Sequence, residues 1–172
     1  MVPDLRSVPD ETKWRIATEY AARLIGAYGQ VFSPVVAGRY PELEEEIWIR
    51  MAPFSAEIAR SLRFPLETAR DLAESLRLVN TLVSGPDYKD EIIDVGRDGA
   101  VMIIRVCPVL AGDRCPSVPG DGTFHRCMAF TLASQKTMNP KYSSRFVRAM
   151  CMGDRQCEIK IEREKEPEKK SG

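Results

Sequence analysis

The apolar spacing of this chain changes once, at Ser84-Gly85-Pro86. That change limits the fold more than any other feature. Before it, apolar residues recur every three or four positions, as on one face of a helix; after Tyr88 they alternate or run together, as in strands. Ser7 with Asp10 three residues on, and Pro9 in the first turn, opens a helix whose stripe is Trp14, Ile16, Ala17, Ala21, Leu24 and Ile25. Gly26 and Gly29 predict its end. Pro34 then starts a second helix reaching Tyr40, Pro41 a third through Met51, and Pro53 breaks that one, with Ser55 capping a fourth over 56–62. Glu42, Glu44, Glu45 and Glu46 read as a solvated face beside the positive end of the third helix dipole. The clearest amphipathic helix spans 65–83, with Leu72, Ala73, Leu76 and Val79 on one side and Arg70, Glu74 and Arg77 on the other.

Beyond the break, 91–95 and 100–106 read as two strands around Gly96-Arg97-Asp98-Gly99. The second is apolar almost throughout and is expected at the centre of its sheet. A loop is expected over 111–124, around Pro119-Gly120-Asp121-Gly122. A helix follows over 125–136 with Cys127 in its first turn, then a closing hairpin of 145–150 and 158–161 with Met152-Gly153-Asp154-Arg155 at its tip. The expectation is an α+β fold in one domain, 1–161: a helical half, 7–84, packed on an antiparallel sheet of about four strands within 90–161. The charged tail 162–172 is expected to be disordered.

Charge and composition remove several function classes. Lys and Arg number 25, as do Asp and Glu, so no net field draws the chain to nucleic acid or an anionic membrane. The aromatics are too scattered to form a stacking platform for bases. The glycine turns lack the strand-to-helix pattern of a phosphate loop. No apolar run is long enough to span a bilayer, and the first residues carry acids and prolines where a leader needs a basic start and an apolar run. A cytoplasmic protein is therefore expected.

All five cysteines and the single histidine lie between Cys107 and Cys157. In a reducing compartment such clustering points to metal or thiolate chemistry rather than disulfides. The spacings match none of the compact zinc or ferredoxin signatures, so the argument rests on topology. Cys107 ends the central strand, Cys151 and Cys157 flank the hairpin tip, and Cys127 opens a helix packed over that end of the sheet. Four thiolates from Cys107, Cys127, Cys151 and Cys157, with Cys115 as a spare or substitute ligand, suit zinc; the same set suits an iron–sulfur cluster. Arg105, Arg114, Arg126, Arg148 and Arg155 are near in sequence to offset the negative charge. The plain alternative is that these are ordinary small core residues. An enzyme would use Cys127 as nucleophile, with His125 as the sole available imidazole base.

The segment RCMAFTLASQKTMNPKYSSRFVRAMCMGDRQCEIKI, 126–161, resembles the C-terminal part of the 4-vinyl reductase domain and the related L-2-amino-thiazoline-4-carboxylic acid hydrolase-like proteins. Cys127, Cys151, Gly153, Asp154, Cys157, Ile159 and Ile161 carry the likeness. It implies helices packed against an antiparallel sheet, in proteins that are often dimeric. Sensor members bind zinc through three cysteines and a glutamate beside an apolar pocket. Here the paired cysteines have five residues between them rather than seven, and Arg148 stands where that glutamate would be. The expected function is a small-molecule-binding or sensing module, taking a small apolar or cyclic ligand, with Trp48, Met102, Ile104 and Phe130 as pocket lining. The alternative is a hydrolase of a small cyclic amide or thiazoline-type substrate, using a cysteine thiolate or a metal-bound water.

Overall fold

The structure is a computed structural model and describes residues 4–112 and 120–164. Helices α1 (Asp10–Val36), α2 (Tyr40–Ser61) and α3 (Ala69–Ser84) precede strands β1 (Lys89–Asp94) and β2 (Gly99–Val106). The short α4 (Pro108–Gly112) and α5 (Gly120–Met138) lead to β3 (Tyr142–Arg148), a 3-10 turn at Met150–Met152, and β4 (Cys157–Arg163). The α+β class and the order of helices before sheet are as the spacing predicts.

The four strands form one antiparallel sheet in the order β1-β2-β4-β3. β2 is central, paired with β1 on one side and β4 on the other. Its alternate residues Ala100, Met102 and Ile104 point to the same face as Cys157, Ile159 and Ile161 of β4, and all six are buried. Against that face pack Leu72, Ala73, Leu76 and Val79 of α3. The opposite face is wet and carries ion pairs across strands, such as Arg105 with Glu91 and Arg145 with Glu162. One dry and one wet face is the usual condition of an antiparallel sheet.

The expected helix boundaries require three corrections. α1 runs unbroken through Gly26, Gly29 and Pro34, and α2 through Pro53, so four expected segments are two helices. Each interior glycine costs about 1 kcal/mol relative to alanine, a penalty that lowers helix stability without forcing an end. Ser55 is no cap: it is buried within α2, where its hydroxyl meets that of Ser134 on α5 at 3.0 Å. Small residues Ala52, Ser55, Ala56 and Ala59 line that face of α2 and let α5 approach closely.

The helix expected from Pro65 starts instead at Ala69. Thr68 Oγ1 accepts from Asp71 N (3.1 Å) while Thr68 N donates to Asp71 Oδ2 (3.0 Å), a reciprocal capping box. Its end at Ser84 is as expected, since Gly85 takes a φ of 100°, where a side chain is strained; an added Cβ would also meet Thr18 Oγ1 at 2.5 Å. Residues 120–124, expected in a loop, already belong to α5, which places Cys127 in its second turn rather than its first. β4 reaches Arg163, so the first two residues of the expected tail are strand. Most of that tail, with Cys115 and Arg114, lies outside the described residues.

Candidate functional site

The four described expected ligands gather at one end of the sheet. Cys107 follows β2 directly, and Cys157 begins β4 opposite Ile104 of β2. Cys151 sits in the 3-10 turn joining β3 to β4; the neighbouring Met150 N donates to Cys157 Sγ at 3.3 Å. Cys127 comes down from α5, which packs on that turn. All four are free thiols; Cys157 is buried and the others are partly buried.

Burial and neighbouring charge set the ionisation of the four thiols. Burial pushes the Cys127 thiol up to about 12, and the charges that Cys107, Cys157 and Cys151 would carry push the same way; a hydrogen bond with Thr131 opposes them. Burial raises Cys157 to about 11, against the Met150 N–H and with Cys107, Cys151 and Asp154. Cys107 is raised by burial, while the N–H groups of Leu110 and Val109 and the Arg126 guanidinium hold it back. Cys151 is raised by burial too, with Arg126 again opposing. Cys127, Cys157 and Cys151 each feel others of the set, and all four thiols are raised, so without a cation they stay protonated at neutral pH. Among the described residues, no three His, Cys, Asp or Glu side chains stand close enough to share a metal ion.

Beside the thiols lie two polar groups, of which the sequence pointed only to Arg126, as a charge near the cysteines. Arg126 and Glu44 form a buried ion pair at 3.1 Å, with side-chain exposures of 4% and 8%. Tyr40 Oη donates to Glu44 at 3.3 Å, and Arg126 Nη2 donates to Thr123 Oγ1 at 3.4 Å. Glu44 was expected on a solvated face. It is buried because Tyr40 and Trp48, four residues either side, share its face of α2, and that face meets α5. Those flanking aromatics were the available signal. The second group is Tyr88, a buried side chain between α3 and β1 whose hydroxyl accepts from Asn80 Nδ2 at 3.4 Å. Burial holds its phenol well above the usual range, helped by Asp90 and by Cys107 and Cys127.

His125 is exposed on α5 with its ring against Phe124 at 5.9 Å. Two residues apart on a helix is about 200° of rotation, so it faces away from Cys127. Trp48 and Phe130 meet edge to face at 5.6 Å between α2 and α5, both partly buried. Met102 and Ile104 sit in the core with Leu72, Leu76 and Ile159. A cleft of about 640 Å³ lies elsewhere, where the start of α1 meets the end of α3, lined by Asp10, Glu11, Trp14, Thr81 and Pro86.

No family model and no curated protein matches the chain, so the likeness to 4-vinyl reductase domains has no match of that kind behind it. Solved structures do match in fold. One is a trafficking protein particle complex subunit 3 from Naegleria fowleri covalently bound to palmitic acid, with a TM-score of 0.61 and 13% identity over 87% of this chain and 96% of that one. Another is the phenol-responsive sensory domain of the transcription activator PoxR with phenol, with a TM-score of 0.56 and 11% identity over 83% of this chain and 74% of that one. What the chain shares with them is the α+β fold. No helix among the described residues is long and apolar enough to cross a membrane.

Proposed function

We propose that this protein is a small-molecule-binding module whose cysteine end is closed by zinc held by Cys107, Cys127, Cys151 and Cys157. The observation that carries the reading is the arrival of four thiols from β2, α5, the Met150–Met152 turn and β4 at one end of one sheet, near enough to act on one another's ionisation. A dication there replaces four protons and turns mutual repulsion into ligation, each sulfur about 2.3 Å from the metal. Arg126, acting on Cys107 and Cys151, offsets part of the charge of a four-thiolate site.

The ligand half of the proposal draws on the fold shared with a phenol-responsive domain and a palmitate-bound subunit, and on the Trp48–Phe130 pair as its apolar contact. A small apolar molecule fits that chemistry. A hydrolase working through Cys127 needs a base, and His125 lies round the helix from it.

Elemental analysis of anaerobically purified protein tests the metal, and thermal shift with phenol and with palmitate as probes tests the ligand. One zinc per chain without a visible absorption band is the expected result. Iron with a broad band near ~400 nm points to a cluster on the same ligands. Metal-free protein with five titratable thiols overturns the metal half.

A further inference from the structure

Glu44 of α2 and Arg126 of α5 are almost wholly buried, at 8% and 4% exposure, and joined at 3.1 Å. Ion pairs on the surface stay wet, as Arg148 with Glu158 does. A buried pair adds little net stability over apolar residues of similar volume, so its place between two helices asks for another reason. Its neighbours supply one. Trp48 is one turn from Glu44 on α2, and Phe130 is one turn from Arg126 on α5, so the aromatic contact and the ion pair stand side by side, about 6 Å apart. Further along, the same helices touch through the short hydroxyls of Ser55 and Ser134 at 3.0 Å. At the Glu44 end they meet through long side chains, whose rotation opens space that the serine end does not have.

The Glu44 carboxylate has capacity to spare. Arg126 Nη1 and Tyr40 Oη both donate to its Oε1, at 3.1 Å and 3.3 Å, and among the described residues its Oε2 accepts no hydrogen bond. A carboxylate offers about four acceptor positions. The bond from Tyr40 is long for O–H···O, whose usual length is about 2.7–2.8 Å. Tyr40 is also the first residue of α2, and Arg39 before it gives the helix no side-chain cap. An uncapped first turn opens more readily than a helix interior. Tyr40 is therefore a weakly held phenol resting on a carboxylate, beside two aromatic rings that are only partly buried.

We infer that the ligand of the Trp48–Phe130 contact is a neutral hydroxyaromatic molecule whose hydroxyl donates to Glu44 in place of Tyr40. The inference rests on the apolar-ligand reading above and adds the group that selects among apolar ligands. The ring follows from Trp48 and Phe130, which gain from a third ring at their edges or faces. The hydroxyl follows from charge. Glu44 and Arg126 already balance, so a neutral donor adds no uncompensated charge, whereas a carboxylate sets a second anion against Glu44 and an ammonium ion competes with Arg126. Exchanging Tyr40 for the ligand replaces one phenol by another, and the buried pair keeps its hydrogen bond. A ligand without a donor removes that bond and returns nothing. Tyr40 is thus a built-in competitor that sets how tightly the ligand is held.

The test is calorimetric titration of the full chain with 4-methylphenol, which is the tyrosine side chain as a free molecule. The controls are 4-methylanisole, which cannot donate, and 4-methylbenzoate, which is anionic. The phenol is expected to bind at least about ten-fold more tightly than either. Tyr40→Phe removes the competing hydroxyl and is expected to tighten the phenol about five-fold while leaving 4-methylanisole unchanged; a purely structural tyrosine would weaken both. Glu44→Met combined with Arg126→Met removes the pair without stranding a charge and is expected to bind phenol and anisole alike. If that double variant fails to fold, the Tyr40→Phe comparison decides. A phenol held no more tightly than the anisole, or weakened by Tyr40→Phe, overturns the inference and leaves the apolar-ligand reading standing. Absence of binding by all three compounds and by palmitate overturns both.

Discussion

The two ends of the sheet are built on opposite principles. At the end where β1 turns into β2, polar groups from distant parts of the chain satisfy one another. Tyr142 Oη donates to Asp98 Oδ2 at 2.7 Å and lies 3.0 Å from the Glu67 carbonyl, while Asp98 Oδ1 accepts from Ala69 N at 3.1 Å. Gln135 Nε2 donates to the carbonyls of Asn139 and Tyr142, each at 2.9 Å, and Asn139 Nδ2 to that of Leu66 at 2.8 Å. At the other end four thiols gather with few hydrogen bonds, beside a phenol, Tyr88, and one carboxyl, Asp90, that burial pushes toward their neutral forms. Closed polar networks stabilise by themselves, whereas thiols that share one end gain most from a cation. The first end is finished by the chain alone; the second is where the proposed zinc would sit.

The sharpest way to break this contrast is Cys157→Ser, compared with and without a strong zinc chelator. With metal present, loss of one ligand forfeits much of a binding free energy of order 10 kcal/mol, and the melting temperature is expected to fall by more than 10 °C. Chelation of wild type is expected to produce most of the same fall, read by calorimetry. Hydrogen exchange at Tyr142 and Asn139 is expected to stay slow in both. A variant with unchanged melting and unchanged metal content removes the distinction between the ends.

Tyr142→Phe strikes the finished end. It takes the donor away from Asp98 and is expected to cost about 1–2 kcal/mol in urea unfolding, with no change in metal content. The same hydrogen bond, with that from Ala69 N, holds the Asp98 carboxyl below its ordinary 3.8. A depressed carboxyl stabilises above the unfolded value and loses that contribution as pH falls through the folded one, so this end weakens in acid.

Asp90 has the opposite sign. Burial raises it to about 6, with Arg77 opposing and Glu74 adding, and its Oδ2 has no hydrogen-bond partner among the described residues. A raised carboxyl gives its most favourable contribution below the unfolded value of 3.8 and loses it as pH climbs through 6. Asp90→Asn is expected to flatten stability between pH 4 and 6 and to gain about 1 kcal/mol at pH 7, after allowance for solvent screening. Denaturant midpoints across that range check it. The smallest effect is expected for His125→Ala: an exposed imidazole on the far side of α5 from Cys127, its removal is expected to change stability by under about 0.5 kcal/mol and metal content not at all.

These two ends were not equally legible in the sequence. The cysteine end could be read because its residues sit at element boundaries that local patterns mark: the last residue of an apolar strand, and the two sides of a Gly-Asp turn. The finished end could not, because Asp98, Ala69 and Tyr142 meet across separations of 29 and 44 residues with no motif among them. The helical half shows the same division. Gly85 stops α3 because its φ lies where side chains are strained, a local fact. Gly26, Gly29 and Pro53 only weaken their helices, and whether a weakened helix continues depends on packing that one stretch of sequence does not contain. Glu44 is an intermediate case: Tyr40 and Trp48 mark its face locally, but the partner that satisfies its charge, Arg126, lies 82 residues away.

The strand order leaves β1 and β3 at the rims, and both rims are charged. Lys89, Asp90, Glu91 and Asp94 stand along one and Arg145 and Arg148 along the other. Backbone groups on an outer strand invite a further strand from another molecule, and charges there discourage it because they would be stripped of water or set against one another. Growth of the sheet into a stack or fibre is thereby discouraged at both margins.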